Sequence, residues 1–262
     1  MNERMENLDV ILRYLIEERG ENIALPSSLA EKQRLMRALM NVREPKPASL
    51  EFLQAQDVEL RLQREDKGVV TLEDVARTGI CGRGDVSPRL YVWQGDITRL
   101  QVDAIVNAAN AQLLGCFAPL HACIDNAIHS AAGIQLREEC HQLMQKQGHD
   151  EPTGRAKITQ GYNLPARHVL HTVGPIIAYG LPSGRQELQL AGCYTSCLEL
   201  AEEHHLQSVA FCCISTGVFH FPNQRAAEIA VEAVRKFPCQ SVQTVVFNVF
   251  KELDLDIYSQ LV

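Results

Sequence analysis

The chain of 262 residues is long enough for one large domain, or for one domain with a smaller appendage. Its composition, 46% hydrophobic and 22% charged, is that of a globular protein, and no run of about 18 apolar residues predicts a membrane span. The net charge of −7 without a long basic run argues against nucleic acid as a partner, and the charged N-terminus, which lacks the apolar core of a signal peptide, predicts a cytoplasmic location.

Residues 1–85 are predicted to form a helical extension. Apolar residues recur at helix spacing from Leu8 to Ile16, and Ser28 is placed to cap a second helix that carries Leu35 and Met36 on its apolar face. A third helical stretch follows at 50–64, and a segment with glycine and proline at 82–90 ends the region. We therefore divide the chain into an extension over 1–85 and a second domain over 86–262.

From residue 90 onward, short apolar strands alternate with helical stretches. The predicted strands lie in "RLYVWQGDIT", "VDAIVNAAN", "HVLHTVGP", "SVAFCCIST" and "TVVFNVF". The predicted helices are 125–145, 187–204 and 222–236. Alternation of this kind is typical of an α/β fold in which a sheet lies between layers of helices.

Three of these strands end in turns of small or polar residues, at 95–98, 107–110 and 215–219. Ligands in open α/β sheets usually bind at the carboxyl ends of strands, so we expect the three turns to meet at one crevice. An anionic ligand there has no lysine patch to bind it, so backbone N–H groups and helix ends must hold it.

Each turn suits a ligand, although each also has an ordinary structural role. Asp96 can accept a hydrogen bond from an exocyclic amine, or it can cap a turn. The amides of Asn107 and Asn110 match vicinal hydroxyls, but asparagine also tolerates a left-handed turn. Consecutive N–H groups at 215–219 form a candidate anion nest, and Phe219 is either a ligand contact or a core aromatic.

A cluster of soft metal ligands follows the second turn. Nine cysteines, an odd number, in a chain with no secretory signal indicate reduced thiols. Cys116, His121 and Cys123 fall within eight residues, which fits a three-ligand zinc site with an open fourth position; inert buried cysteines are the alternative that the residues leave open. His121 and Cys123 can share a metal only if the next helix starts near Ile124, because helical residues two apart point about 200° apart.

Five segments, taken in order, resemble a macrodomain, the ADP-ribose-binding α/β/α module. They are "GDIT", "VDAIVNAAN", "IDNAIHSAAG", "GYNLPARHVLHTVGP" and "ISTGVFHFP", and the resemblance covers roughly 90–255. The stretch "LLGCFAPLHACIDN" replaces the family's glycine-rich loop and resembles the zinc-dependent branch, whose members are protein ADP-ribose hydrolases with a helical N-terminal extension. The resemblance implies a three-layer α/β/α fold with a mixed central sheet.

The resemblance also implies roles for individual residues. It implies one Zn²⁺ per chain, held by Cys116, His121 and Cys123, which either activates a water or positions the ribose. It implies catalytic roles for Asn110, at the distal ribose, and for Asp125, which orients or deprotonates a water; the alternative for Asp125 is a carboxylate that complements the helix dipole. The ligand-binding residues that it implies are Asp96, Ile97, Asn107, Asn110, Asp125, Ser215, Thr216, Gly217, Val218 and Phe219.

The function that follows is zinc-dependent removal of mono-ADP-ribose from protein side chains, with Asp and Glu esters as the expected linkage. Three alternatives stay open: an ADP-ribose reader without catalysis, a hydrolase of O-acetyl-ADP-ribose, and a protein with a purely structural zinc. The expected partners are ADP-ribose and a mono-ADP-ribosylated protein, with a functional link to a sirtuin-type ADP-ribosyltransferase and with neither nucleic acid nor membrane.

Overall fold

A computed structural model of the chain describes residues 2–82 and 87–262. Seven strands form one sheet, in the spatial order β1-β2-β7-β6-β3-β5-β4. The strands are β1 (Ile80–Cys81), β2 (Arg89–Gln94), β3 (Ala104–Ala108), β4 (Ala156–Gln160), β5 (His168–Thr172), β6 (Ser208–Phe211) and β7 (Thr244–Val249). The five central strands are parallel, and β1 and β4 run antiparallel at the two edges. The sheet is therefore mixed.

Nine helices are seen in the described residues. They are α1 (Asn2–Arg19), α2 (Leu29–Val42), α3 (Leu50–Lys67), α4 (Leu72–Thr78), α5 (Ile124–Ala132), α6 (Ile134–Gln147), α7 (Gly184–Glu203), α8 (Asn223–Lys236) and α9 (Glu252–Leu261). Helix α8 packs against α7 and α9, which contact the sheet, and these three helices form one layer; α4, α5 and α6 contact the sheet in the other layer. The expected three-layer α/β/α fold is confirmed, and no described helix is long and apolar enough to cross a membrane.

The N-terminal helices have an apolar core of their own. Leu8, Ile11 and Leu12 of α1 are fully buried against Met36 and Phe52 in a cluster separate from the core of the sheet. The Ser28 hydroxyl accepts a hydrogen bond from the Glu31 N–H, so the expected cap of α2 is confirmed. The predicted division at 85–86 falls on residues 83–86, outside the described part of the chain, and stays a prediction.

Helices α2 and α3 dock onto α5, and α3 also caps α6. The expected helix 125–145 is in fact two helices, because Gly133 interrupts it with a φ of +100° that side chains rarely adopt. At this break the buried side chain of Gln56 in α3 accepts a hydrogen bond from the Ile134 N–H at 2.9 Å. The extension therefore supplies the cap that α6 lacks locally.

The sequence prediction missed both edge strands and placed one pair of cysteines wrongly. All five parallel strands were predicted, whereas β1 and β4 were not. Strand β1 lies within the segment predicted as helical, and α4 beside it contributes the buried Val75 to the core of the sheet. Cys212 and Cys213 were expected within a strand, but β6 ends at Phe211, so both cysteines follow it and line the cavity described below.

Candidate active site

The carboxyl ends of β2, β3 and β6 open into one cavity of about 1420 Å³. The three polar turns that follow these strands all contribute to its lining, as the order of the parallel strands requires. Of the residues that the sequence singled out, Asn107 alone does not line this cavity; it is fully buried in β3. The cavity is larger than the ~300–1,000 Å³ typical of small-molecule sites.

Asp96 both caps a turn and faces the cavity, so the two roles that the sequence left open coexist. Its Oδ1 accepts hydrogen bonds from the N–H and hydroxyl of Thr98, at 3.0 and 2.6 Å, at the start of a short 3-10 turn over Ile97–Arg99. Its Oδ2 lies 3.4 Å from Lys67 Nζ of α3. Burial acts to raise the pKa of Asp96, but the Thr98 hydrogen bonds and the Lys67 charge hold it below its usual value. Asp96 is therefore an anion, and its Oδ2 can accept a further donor beside the long contact to Lys67.

Asn110 holds its own loop. Its Nδ2 donates to the Gly115 carbonyl at 2.9 Å, and its Oδ1 accepts from the Gln112 N–H at 3.1 Å. Gly115 has a φ of +77°, and a Cβ there would come within 2.9 Å of the His129 ring, so only glycine fits. The side chain of Asn110 thus shapes the start of residues 111–123, which we call the cysteine loop.

The loop 215–219 has the features of an anion nest. Within the described part of the chain, the backbone N–H groups of 216–219 donate no hydrogen bond. Ser215 adopts a φ of +65°, uncommon for a residue with a side chain, and its buried hydroxyl has no hydrogen-bond partner among the described residues. Phe219 is half-buried at the cavity, whereas Phe221 is the aromatic in the core. Phe219 is therefore a residue of the cavity wall and not a core aromatic.

The cysteine loop brings its three soft ligands together. One ligand atom each of Cys116, His121 and Cys123 lies within 4.8 Å of the others, and Cys116 Sγ is 3.6 Å from His121 Nδ1. Helix α5 begins at Ile124, where the sequence placed it, and Cys123 is its N-cap, with Sγ 3.4 Å from the Asn126 N–H. All three residues line the cavity. The donor set and its spacing fit a zinc ion, because zinc prefers thiolates and imidazoles in tetrahedral arrangement.

The side chains of Asn126, which is buried, and of Arg37, which is half-buried, hold the cysteine loop in place. The Asn126 amide donates to the carbonyls of Cys116 and Ala118, at 3.4 and 3.0 Å. Its Oδ1 in turn accepts from Arg37 of α2 at 2.8 Å, and Arg37 also donates to the His121 carbonyl at 3.2 Å. Two of the three candidate metal-binding residues, Cys116 and His121, are therefore held through their backbone carbonyls.

Two further side chains tie the loop to the rest of the fold. Asn41 of α2 accepts from the Leu120 N–H at 3.0 Å. Arg137 of α6 is buried, donates to the Leu114 carbonyl at 2.7 Å and lies over the Phe117 ring, with its guanidinium carbon 4.3 Å from the ring centre. The loop is thus held by helices on both sides.

Asp125 is a buried carboxyl with limited access to the cavity. Its Oδ1 accepts a hydrogen bond from Asn107 Nδ2 at 2.8 Å, and His129 Nε2 lies 3.5 Å from it. Burial raises the pKa of Asp125 to about 6, partly offset by the Asn107 hydrogen bond and the Arg137 charge. Its pKa thus lies close to the range in which a general base is effective.

The polar groups beneath Asp125 are neutral. His129, Cys140 and His171 form a fully buried cluster, and burial lowers the pKa of His171 to about 3 and that of His129 well below its usual value. His171 Nδ1 lies 3.2 Å from Asn107 Nδ2, because Asn107 and His171 are in register on β3 and β5. These groups therefore support Asp125 through Asn107 without adding charge.

The sequence prediction missed the residues that support the cysteine loop. Arg37, Asn41, Asn126 and Arg137 do not stand out in sequence, since polar residues in amphipathic helices are usually solvated. Asn126 has one local sign: it lies in the first turn of a short helix in which Asp125 and His129 are also buried. The contacts of Arg37 and Asn41 span more than 75 residues of sequence and require the tertiary structure.

Comparisons with known proteins agree with this geometry. A family model described as Macro domain matches residues 106–230. A protein-ADP-ribose hydrolase of Treponema medium is 50% identical over 255 residues, covering 96% of this chain and 96% of the relative. A protein-ADP-ribose hydrolase of Staphylococcus aureus strain MSSA476 is 45% identical over 261 residues, covering 97% of this chain and 94% of the relative.

Among solved structures, a Trypanosoma brucei macrodomain in complex with ADP-ribose matches with a TM-score of 0.64 and 29% identity, over 90% of this chain and 96% of that chain. The chain therefore belongs to the macro domain family.

Proposed function

We propose that this chain is a zinc-dependent hydrolase that removes mono-ADP-ribose from modified protein side chains. One observation carries the proposal: the ligand atoms of Cys116, His121 and Cys123 cluster beside the carboxyl of Asp125, in the cavity that the three polar turns line. A protein that only binds ADP-ribose needs neither the metal ligands nor the buried carboxyl. The relatives named protein-ADP-ribose hydrolase, which match over nearly the whole chain, support an enzyme.

The donor set supports one Zn²⁺ per chain. Two thiols and one imidazole leave a fourth position for a water or substrate atom, which is typical of catalytic rather than structural zinc. Burial raises the pKa of Cys123 to about 11, but its place at the N-terminus of α5 and the Asn126 N–H favour the thiolate that a metal needs. Zinc bound there supplies a Lewis acid at the wall of the cavity.

The turns match the parts of ADP-ribose. The Asp96 carboxylate accepts a hydrogen bond from the amino group of adenine, and Ile97 packs beside the ring. The N–H groups of 216–219 and the Ser215 hydroxyl bind the diphosphate, because they have no hydrogen-bond partner among the described residues and an anion nest needs such donors. Asn110 contacts the distal ribose, and Phe219 packs on it.

Asp125 is the general base in the proposed reaction. Its carboxylate takes a proton from a water as the water attacks the anomeric carbon of the distal ribose. The bond from that carbon to the side-chain oxygen breaks, and the Asp or Glu carboxylate of the target leaves with the bonding electrons. A carboxylate is a tolerable leaving group at neutral pH, so the reaction does not require a second acidic residue. Asn107 keeps the base oriented through its 2.8 Å hydrogen bond.

A release assay tests the proposal. Proteins that carry mono-ADP-ribose only on Glu, only on Ser or only on Arg are incubated with the enzyme, before and after treatment with a chelator, and freed ADP-ribose is measured. We expect release from Glu that stops on chelation and returns with zinc. Binding without release identifies a reader, and preferential release from Ser overturns the ester linkage.

A parallel arm with O-acetyl-ADP-ribose tests the metabolite alternative. If this small ester is consumed much faster than the modified protein, the protein is not the main substrate. A functional link to a sirtuin-type transferase, which the sequence resemblance supports, and a cytoplasmic location belong to the same proposal. An ADP-ribosyltransferase encoded beside this protein is the observation that supports the first.

A further inference from the structure

The N-terminal extension forms one wall of the cavity. Helices α2 and α3 place six long polar side chains on it, which we call the extension wall: Gln33, Arg34, Arg37, Gln63, Arg64 and Lys67. The wall runs beside the whole proposed site, because Arg37 contacts the cysteine loop at one end and Lys67 contacts Asp96 at the other. A polypeptide that reaches the site along α2 or α3 therefore passes this wall.

The wall is positively charged although the chain carries a net charge of −7. The charged residues that line the cavity in the described part of the chain are five cations and three carboxylates, and four of the five cations belong to the extension wall. Like charges that face one cleft raise the local concentration of the opposite charge. The extension wall thus attracts anions in addition to the anion nest at 215–219.

Two of the four cations are available to a ligand. Arg37 and Lys67 are engaged with Asn126 and Asp96. Among the described residues, exposed Arg34 has no hydrogen-bond or ion-pair partner, and half-buried Arg64 makes one hydrogen bond, to the Asn163 carbonyl at 3.2 Å. Most of their guanidinium donors are therefore unused, and a guanidinium binds a carboxylate with two parallel hydrogen bonds.

We propose that Arg34 and Arg64 bind the carboxylates of an acidic segment that flanks the ADP-ribosylated side chain of the protein substrate. The inference rests on the proposed function, since it concerns the polypeptide to which ADP-ribose is attached. The volume of about 1420 Å³ exceeds that of a small-molecule site, and the diphosphate has its own donors at 216–219. Arg34 and Arg64 are thus available to bind the polypeptide of the substrate.

Binding of two matched peptides tests the proposal without hydrolysis. Each peptide carries ADP-ribose through a hydrolysis-resistant linkage, flanked by glutamates in one and by glutamines in the other, and its Kd is measured by fluorescence anisotropy. We expect wild type to bind the glutamate peptide about three- to tenfold more tightly, and this preference to shrink as salt is added. In Arg34→Gln/Arg64→Gln the preference disappears, while the Kd for free ADP-ribose stays within about twofold.

Arg61→Gln is the matched control, because Arg61 lies exposed on the same helix as Arg64 but does not line the cavity. It should keep the wild-type preference. An equal affinity of wild type for the two peptides overturns the proposal. A parallel loss of ADP-ribose affinity in the double variant also overturns it, because the arginines then bind the nucleotide. Failure of the proposed function is separate: it appears as peptides that bind but whose cleavable counterparts are not hydrolysed.

Discussion

Replacing Asn126 with alanine should loosen the cysteine loop while leaving its three ligands in place. Asn126 is fully buried, and its amide joins the loop to helix α2. Alanine removes the donor for the carbonyls of Cys116 and Ala118 and the acceptor for Arg37. None of these groups has an alternative side-chain partner in the described structure. The substitution therefore tests whether the arrangement of Cys116, His121 and Cys123 depends on the hydrogen bonds of Asn126.

The magnitude follows from the bonds that are lost. The hydrogen bond to the Ala118 carbonyl, at 3.0 Å, is of ordinary length, and the one to Cys116, at 3.4 Å, is long and weak. The bond from Arg37, at 2.8 Å, involves a charge. One neutral and one charged hydrogen bond, with partial recovery by water in the cavity, give a loss of about 2–3 kcal/mol in the free energy of unfolding. Loss of groups that orient metal ligands lowers metal affinity about 10- to 100-fold.

Zinc affinity is measured by competition with a chromophoric chelator, and stability by urea unfolding of the metal-free protein. Asn248→Ala is the control, because Asn248 is also buried, lines the same cavity and donates to two backbone carbonyls, those of Trp93 and Gly95. It should cost stability without changing zinc affinity. If Asn126→Ala keeps the wild-type zinc affinity, or if Asn248→Ala lowers it equally, the support of the loop does not determine metal binding.

Three further predictions concern the proposed chemistry. Asp96→Ala should weaken ADP-ribose binding by about 1.5–3 kcal/mol, or roughly ten- to a hundredfold, and equal affinities by calorimetry would remove Asp96 from the site. Cys116→Ser and Cys123→Ser should lose zinc by elemental analysis and lose hydrolysis, while ADP-ribose binding falls much less; full activity without metal contradicts the zinc proposal. Because burial raises the pKa of Asp125 to about 6, hydrolysis by the carboxylate should decline as the pH falls through about 6, and Asp125→Asn should be inactive throughout the profile.

The parallel core of the fold was predictable because its signals are local. A strand buried on both faces is a short apolar run, and four of the five central strands, β2, β3, β6 and β7, contain three or more consecutive apolar residues. The edge strands gave a weaker signal: β1 has two exposed residues, and β4 is only partly buried. The break at Gly133 was also missed, because a glycine inside a helical pattern is often tolerated.

The candidate site was predictable only where one short segment carries it. The candidate ligands Cys116, His121 and Cys123 lie close together in sequence, and the prediction that α5 starts near Ile124 was confirmed. The burial of Asn107 was not foreseen, since its partners Asp125 and His171 come from other elements. In the structure Asn107 orients Asp125 and does not line the cavity. A sequence pattern cannot distinguish these two roles of an asparagine.

The cysteine loop and the helical extension depend on each other. The loop contains Leu113 and Leu120 at φ of +58°, a conformation that costs energy for residues with side chains and persists only when the surroundings enforce it. The enforcing groups on one side are Arg37 and Asn41, which belong to α2. A sheet domain without the extension keeps the three ligand residues but loses these supports. The extension therefore supports and lines the candidate site, and the two protein-ADP-ribose hydrolase relatives match this chain over both regions.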